Sequence, residues 1–272
     1  MTIAEFASIA TGLEASARVP ALFVGHGSPM NAIESNAYVA GWKKLGEVLP
    51  HPTAILSISA HWLTLGTHIH AGVRPKTIHD FGGFPKELYD ITYGCPGAPD
   101  VALATKTLLL PNPATLDTEW GIDHGTWVVL RHMFKNADIP VFQMSIDVQR
   151  SGEQHYELGR LLQKLREKGV LIMGSGNMVH NLGKISWKTD ALPFAWATSF
   201  DEQAKKLLVE GNHQALIHYE KLGVEAELAI PTPDHYWPLL YTLGVQNKNE
   251  QLSFPIEGIT HGSISMRTIQ IG

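Results

Sequence analysis

Apolar runs and amphipathic stretches alternate along most of the chain. Four runs are short and mostly apolar, as in strands buried on both faces: residues 19–24, 53–59, 140–146 and 170–173. Three stretches carry apolar residues at helical spacing: residues 34–49, 100–110 and 153–168. Because strands and helices alternate, the pattern predicts an α/β fold, a single domain with a central mixed sheet flanked by helices.

The predicted domain covers residues 19–272 and contains one long irregular segment. Residues 76–99 are rich in glycine, proline and aromatic residues. They predict a functional loop with short ordered pieces, since long structureless loops are uncommon in compact domains. Residues 262–269 predict a final strand. Residues 1–18 precede the domain as an N-terminal extension, and the sequence leaves open whether they are ordered.

Composition limits the functions that this chain can have. Hydrophobic residues make up 44% of the 272 residues, which is enough for a sizeable core, and the formal net charge of −5 gives no electrostatic reason to bind nucleic acid. Cys95 is the only cysteine, so an intrachain disulfide cannot form. No apolar stretch reaches the roughly 18 residues of a membrane helix. We therefore expect a cytoplasmic protein without nucleic-acid or membrane partners, and of undetermined oligomeric state.

Histidine is frequent, with 14 residues, and four histidines stand at predicted strand ends or rigid turns: His26, His61, His180 and His235. Open α/β sheets bind ligands beyond the carboxyl ends of their strands, so we expect the active site there. Imidazole is a common ligand of Zn, Fe and similar ions. A single histidine at such a place is more often an ordinary loop residue than a metal ligand. The sequence also lacks a spacing signature, such as H-E-x-x-H, that would identify a metal site by itself.

Other polar and aromatic features have simpler structural interpretations. Gly174-Ser175-Gly176 has neither dinucleotide-binding nor P-loop spacing and predicts a close turn between a strand and a helix. Ser28 is interpreted as a cap or turn residue. Three tryptophans adjoin histidines in the sequence: Trp62, Trp127 and Trp237. We expect them in the core, and the alternative is that they form a wall on which an aromatic ligand stacks. The histidines of predicted helices are expected on the surface: His132, His155, His213 and His218.

Seven segments, in the family's order, resemble the DODA-type extradiol ring-cleaving dioxygenases, which belong to the class III extradiol superfamily. They are PALFVGHGSPMNAIE, AILSISAHW, TIHDFGGFPKELYDITYGCPGAP, GIDHGTWVVL, IPVFQMSID, GVLIMGSGNMVHNL and PTPDHYWPLLYTLG. The similarity runs from Val19 to the C-terminus. Seven ordered motifs are far more specific than a single glycine-rich loop.

The resemblance implies a non-haem metal held by histidines, with Fe(II) expected for catalysis and Zn as the alternative ion. Carried over by motif, the metal ligands are His26, His61 and His235. His180 occupies the acid/base position of the wider superfamily, and we assign it to the metal as well. His124 resembles a catalytic histidine on the oxygen-binding side.

The third ligand departs from the wider superfamily, which usually has a carboxylate at that place. This chain has His235 next to Asp234. A set made only of imidazoles carries less negative charge and favours Zn over Fe(II). The resemblance therefore leaves the identity of the ion open.

The resemblance implies cleavage of a catechol such as DOPA by O2, beside the diol, with His180 as the base. The segment HDFGGF at residues 79–84 resembles the substrate side of the family. We assign four residues to the substrate: Ser28, His79, Phe81 and Trp62. Two other functions stay open, a zinc hydrolase using the same pocket and a non-catalytic binding protein on this scaffold.

Overall fold

An eight-stranded mixed sheet forms the centre of the computed structural model, which describes residues 18–188 and 191–272. The strands are β1 (Ala21–Gly25), β2 (Ala54–Thr64), β3 (Thr67–His70), β4 (Lys76–Thr77), β5 (Ala114–Asp117), β6 (Gly121–Ile122), β7 (Val141–Asp147), β8 (Val170–Gly176), β9 (Leu252–Ile256), β10 (Ile259–Thr260), β11 (Ile264–Ser265) and β12 (Thr268–Ile271). The helices are α1 (Ala37–Val48), α2 (Lys86–Tyr89), α3 (Pro99–Leu108), α4 (His124–Met133), α5 (Gly152–Arg166), α6 (Ala195–Val209), α7 (His213–Ile217), α8 (Val224–Ala229) and α9 (Trp237–Gly244).

Four parallel strands occupy the middle of the sheet, whose order is β5-β3-β7-β2-β8-β1-β12-β9. The pairs β7–β2, β2–β8 and β8–β1 are parallel, whereas β12 pairs antiparallel with β1 and with β9. On the other side, β3 pairs antiparallel with β7 and parallel with β5. The predicted mixed sheet is confirmed. Because the four central strands run the same way, their carboxyl ends meet at one edge of the sheet.

Helices cover both faces of the sheet and complete two hydrophobic cores. On one face, α1 and α4 bury Trp42 and Trp127 completely against the strands. On the other face, α5 and α9 bury residues such as Leu162 and Leu240. The predicted single α/β domain is thus confirmed for the described part of the chain. None of the described helices is both long and apolar enough to span a membrane.

The N-terminal extension expected at residues 1–18 lies outside the described residues, except for Arg18. The Arg18 guanidinium pairs with Glu250, with 2.9 Å between Nε and Oε1. This contact ties the start of the described chain to the segment before β9.

The glycine pair at positions 174 and 176 lies within strand β8, so the predicted strand-to-helix turn is wrong at this position. A Cβ atom on Gly174 would overlap with the carbonyl oxygen of Pro238, and one on Gly176 would overlap with that of His235. The glycines therefore let the chain around the start of α9 lie directly on the strand. This close approach determines where His235 stands.

We expect the substitution Gly176→Ala to destabilise the fold by ~1–3 kcal/mol, because the added methyl group must displace the backbone at His235. Urea unfolding followed by circular dichroism measures this loss. Gly94→Ala is the matched control, since a Cβ atom at Gly94 would meet nothing within 4 Å. Equal unfolding midpoints for the two variants would contradict the close-packing role of Gly176.

The surface placement expected for the helical histidines is wrong for His155, which is fully buried in α5. Its ring shares a helix face with Leu158 and Leu162, three and seven positions further on, and this face packs against α9. The His155 Nδ1 atom lies 2.8 Å from the hydroxyl oxygen of Tyr241. A polar residue on an apolar helix face can thus belong to the core when it has a hydrogen-bond partner.

Candidate functional site

A cavity of about 230 Å³ opens at the carboxyl edge of the four parallel strands, with five of the singled-out histidines on its wall: His26, His61, His124, His180 and His235. Its volume is slightly below that of most ligand pockets, which suits a small ligand. A larger cavity of about 490 Å³ lies at the opposite ends of β2 and β7, and its lining contains no histidine. The chemistry-bearing side chains therefore gather in the smaller cavity.

Three different elements bring histidines to the same place. His26 follows β1 directly, and His235 precedes α9 at the segment that packs on β8. His61 lies inside β2, which continues to Thr64 and does not end at Ser59 as predicted. The pairing of β2 with β7 is irregular between Ile58 and Leu63, which sets this part of the strand apart from the regular ladder.

The rings of these three histidines converge on one point. The Nε2 atoms of His26 and His61 are 3.1 Å apart. The ring centroid of His235 lies 5.3 Å from that of His26 and 5.0 Å from that of His61. One nitrogen from each of the three rings falls within 4.8 Å of the other two.

Each of the three rings has an oxygen atom at its Nδ1 position. The hydroxyl of Ser175 donates to the carbonyl of Gly125, so its oxygen accepts from Nδ1 of His26 at 3.0 Å. Asp80 Oδ2 lies 3.3 Å from Nδ1 of His61, and Asp234 accepts a short hydrogen bond from Nδ1 of His235. With the proton held on Nδ1, each Nε2 atom keeps a lone pair facing the cavity.

This arrangement fits a metal ion. Two lone pairs facing each other at 3.1 Å repel unless a cation lies between them, and two imidazole nitrogens ~2.1 Å from one ion stand roughly 3 Å apart. Burial, together with the neighbouring imidazoles, holds the pKa values of His26 and His61 well below the ordinary value. Both rings are therefore neutral at neutral pH, which is the form that binds metals.

His180 lines the same cavity but stands apart from the three converging nitrogens. Its ring stacks on that of His235, with centroids 3.5 Å apart and planes 7° from parallel. Its nitrogens group with His235 and Asp234, not with His26 and His61. Burial, with the neighbouring His235 next in importance, lowers the pKa of His180 to about 3. Its ring is therefore neutral at neutral pH.

His124 is the first residue of helix α4, and the hydrogen bonds of Asp123 hold the first turn of this helix in place. Asp123 caps the helix, and its carboxylate accepts hydrogen bonds from Ser59 Oγ and Gln143 Nε2, both at 2.7 Å. Burial raises the pKa of Asp123 to about 6. Gly125 permits the close approach, because a Cβ atom there would lie 3.0 Å from the ring of His61.

Asp80 joins His124 to the converging histidines and was missed by the sequence analysis. Its carboxylate accepts from the backbone N–H and from Nδ1 of His124, both at 2.9 Å, and lies beside His61. Burial raises the pKa of Asp80, but the hydrogen bond and charge of His124 outweigh it and lower the pKa. Its position between His79 and Phe81, in a segment already predicted to be functional, was the available signal.

The residues assigned to the substrate divide into two groups. Ser28 and Phe81 line the cavity. His79 and Trp62 are not among its lining residues, so the structure does not bring them to it. His79 lies behind Phe81, with its Nε2 atom 3.0 Å from the carbonyl oxygen of Ile91. Trp62 is buried in a parallel stack on Trp120, with centroids 5.2 Å apart, because successive residues of a strand point to opposite faces.

We expect Asp80→Asn to weaken metal binding by ~10- to 100-fold, because an amide cannot accept from both His61 and His124 as a carboxylate does. Titration of the metal-free protein with Zn or Fe(II) measures this change. Asp90→Asn is the matched control, since Asp90 is exposed and pairs with Lys86 in the same segment. Unchanged affinity in Asp80→Asn would contradict the supporting role of this carboxylate.

Known proteins resemble this chain over most of its length. Residues 20–266 match the family described as "Catalytic LigB subunit of aromatic ring-opening dioxygenase". The chain is 49% identical to the 4,5-DOPA dioxygenase extradiol of Escherichia coli over 262 residues, covering 94% of this chain and 96% of the relative. It is 36% identical to the protein of the same name from Beta vulgaris, covering 84% and 87%. A crystal structure of an uncharacterized protein from Escherichia coli K12 has a TM-score of 0.83, 44% identity, and coverage of 94% and 100%.

Proposed function

This chain belongs to the LigB family of aromatic ring-opening dioxygenases, and we propose that it cleaves catechols such as DOPA with O2 on a metal held by His26, His61 and His235. The observation that carries this proposal is the convergence of one ring nitrogen from each of three histidines in one cavity, with two further histidines beside them. The family match and the named relatives are dioxygenases, so they do not favour a zinc hydrolase or a non-catalytic binding protein.

Fe(II) is the ion that we propose for catalysis, with Zn able to occupy the same ligands. The ligand set contains no carboxylate, because Asp234 bonds to Nδ1 of His235 and so lies behind it. A neutral set of three imidazoles accepts both ions, so the metal supplied to the protein decides which is bound. The ion would hold the diol and O2 near each other and accept negative charge as the ring opens.

His180 is the proposed base. Its ring lines the cavity next to His235, and we propose that it accepts the proton that a diol hydroxyl loses. We assign His180 to this role and leave the metal to the three converging histidines. His124 holds its Nδ1 proton on Asp80 and presents its other nitrogen beside His61, whose centroid is 4.0 Å away. We place the reacting oxygen molecule near His124.

The cavity walls orient the ring. Phe81 contacts the ring of His124 edge-on at 5.6 Å between centroids, and Phe84 packs edge-on against Phe81. These aromatic faces can flank a flat substrate and exclude water around it. We propose that Ser28 lines the substrate position too, while its hydroxyl caps the short helix that follows it.

The reaction balances without a further reductant. Both atoms of O2 enter the product, and one carbon–carbon bond breaks beside the diol. One end of the opened ring becomes a carboxylate, and the other becomes an aldehyde or ketone.

The single cysteine needs no oxidising compartment, which supports a cytoplasmic location.

Oxygen uptake tests the proposed function. The purified protein is loaded anaerobically with Fe(II), and 4-methylcatechol and L-DOPA are added in an oxygen electrode. We expect one O2 consumed per catechol and a product with the mass of the catechol plus one O2. Absence of oxygen uptake with every catechol, together with turnover of an ester or amide, would overturn the proposal in favour of a hydrolase.

A further inference from the structure

A further cavity, of about 440 Å³, lies between helix α1 and the carboxyl end of helix α4. The two helices touch at its floor, because a Cβ atom on Gly46 would lie 2.1 Å from the carbonyl oxygen of Met133. The volume is within the range of pockets that bind small ligands. This cavity shares no lining residue with the cavity of the converging histidines, so it is a separate feature of the molecule.

Three cationic side chains and one carboxylate line this cavity: Lys43 and Glu47 on α1, Arg131 on α4, and Lys135 just after α4. None of the three cations forms an ion pair with an acidic side chain in the part of the chain that the structure describes. The formal net charge of the whole chain is −5. A local excess of positive charge is therefore not a consequence of the overall composition.

His132, which lines the same cavity, shows that these cations lie close together. Burial lowers the pKa of His132, the hydrogen bond to the Asn31 carbonyl raises it, and the charges of Lys43 and Arg131 lower it again. The His132 Nε2 atom lies 2.7 Å from the Asn31 carbonyl oxygen, which can only accept, so Nε2 carries the proton. The imidazole is neutral at neutral pH and adds no charge of its own to the cavity.

The negative charge in the wall does not balance the cations. Glu47 offsets one of them. The carboxyl end of α4 carries about half a unit of negative charge, which basic residues at the end of a helix ordinarily offset. Roughly one and a half positive charges therefore remain in excess. Because like charges gathered in one cavity repel each other, this excess favours a ligand with several negative charges.

The kinds of cation and their positions indicate the class of anion. The guanidinium of Arg131 can donate to two oxygen atoms of one group, and the lysine ammonium groups act as point charges that suit phosphate. Lys43 belongs to α1, whereas Arg131 and Lys135 come from the side of α4. A ligand between them needs negative charge at both of its ends, and a diphosphate group has this distribution.

We propose that this cavity binds a diphosphate group, either free or as part of a nucleotide. Arg131 and Lys135 hold one phosphate, and Lys43 holds the other. The cavity lies at the opposite end of α4 from His124, ~15 Å away for a helix of ten residues. The proposed site is therefore independent of the ring-cleaving function.

Isothermal titration calorimetry tests the site with three probes: orthophosphate, pyrophosphate and ADP. Each is titrated at low salt into the metal-free protein and into the Zn-loaded protein. We expect pyrophosphate to bind at least about tenfold more tightly than orthophosphate, with the same dissociation constant in both forms of the protein. Equal affinities for ADP and pyrophosphate support a site that reads the diphosphate alone, and tighter binding of ADP supports a nucleotide as its source.

Variants of the lining residues identify the cavity as the place of binding. We expect Arg131→Gln to weaken pyrophosphate binding about tenfold and Arg131→Lys, which keeps the charge but not the fork, to weaken it about threefold. Glu47→Gln removes the carboxylate and should tighten binding about threefold. Lys164→Gln is the matched control, because it removes one positive charge from an exposed position of α5. Its dissociation constant should equal that of the parent.

Three results would overturn the site: equal affinities for orthophosphate and pyrophosphate, binding that requires the metal ion, or equal losses in Arg131→Gln and Lys164→Gln. Thermal unfolding by circular dichroism shows whether Arg131→Gln folds. If it does not, Lys43→Gln, at an exposed position, is expected to weaken binding about tenfold in its place.

Oxygen uptake with 4-methylcatechol judges the proposed function separately, and we expect the same rate in all these variants because their residues lie outside the histidine cavity. Absence of oxygen uptake together with intact pyrophosphate binding would refute the ring-cleaving function and leave the diphosphate site standing.

Discussion

Replacing His26 with alanine is expected to remove tight metal binding and to reduce ring cleavage by ~1000-fold or more, since an ion of this kind contributes several kcal/mol of charge stabilisation. His26 contributes one of the three converging nitrogens, and its Nε2 atom lies 3.1 Å from the Nε2 atom of His61. The two remaining imidazoles cannot hold the ion as firmly. Elemental analysis after dialysis and the oxygen electrode measure the two effects on the same sample.

The control for this variant is His51→Ala, which removes an exposed imidazole far from the cavity. We expect its metal content and its rate to match those of the parent. Thermal unfolding monitored by circular dichroism shows whether His26→Ala still folds. A folded His26→Ala protein with the full metal content of the parent would contradict the assignment of His26 as a ligand.

The second large effect is expected for His180→Gln, whose turnover should fall by ~100-fold or more while its metal content stays at the level of the parent. The ring of His180 groups with Asp234 and His235, outside the three converging nitrogens. Glutamine keeps a polar side chain in the cavity but cannot accept the proton of a diol. Its effect should therefore lie in kcat more than in the binding of catechol.

Metal content separates the two roles considered for His180. If His180→Gln loses its metal as His26→Ala does, His180 is a ligand and the base must be sought elsewhere, with His124 as the next candidate. If it keeps both its metal and its rate, His180 has neither role.

Much of the fold could be predicted from the sequence because the four central strands are buried on both faces. Such strands give short, mostly apolar runs, as at β1 and β7, and the amphipathic helices between them are recognisable from their spacing. Errors arose where a distant part of the chain decides the structure. The packing of α9 on Gly174 and Gly176 cannot be seen from local spacing, and neither can the hydrogen bond between Tyr241 and His155 that lets His155 enter the core.

The candidate site was predicted in part, for similar reasons. The positions of His26, His61 and His235 follow from strand ends, a rigid turn and the family motifs, and the structure brings the three rings together. Trp62 was assigned to the substrate although strand alternation places it opposite His61. Asp80 was missed, because its role depends on contacts with His61 and His124, which lie elsewhere in the chain.

The most direct test of the metal site is a crystal structure of the protein loaded anaerobically with Fe(II) and soaked with 4-methylcatechol. We expect one ion bound by the Nε2 atoms of His26, His61 and His235, with the two diol oxygens on the same ion and His180 beside one of them. An ion held by other residues, or a catechol bound away from these three rings, would contradict the account.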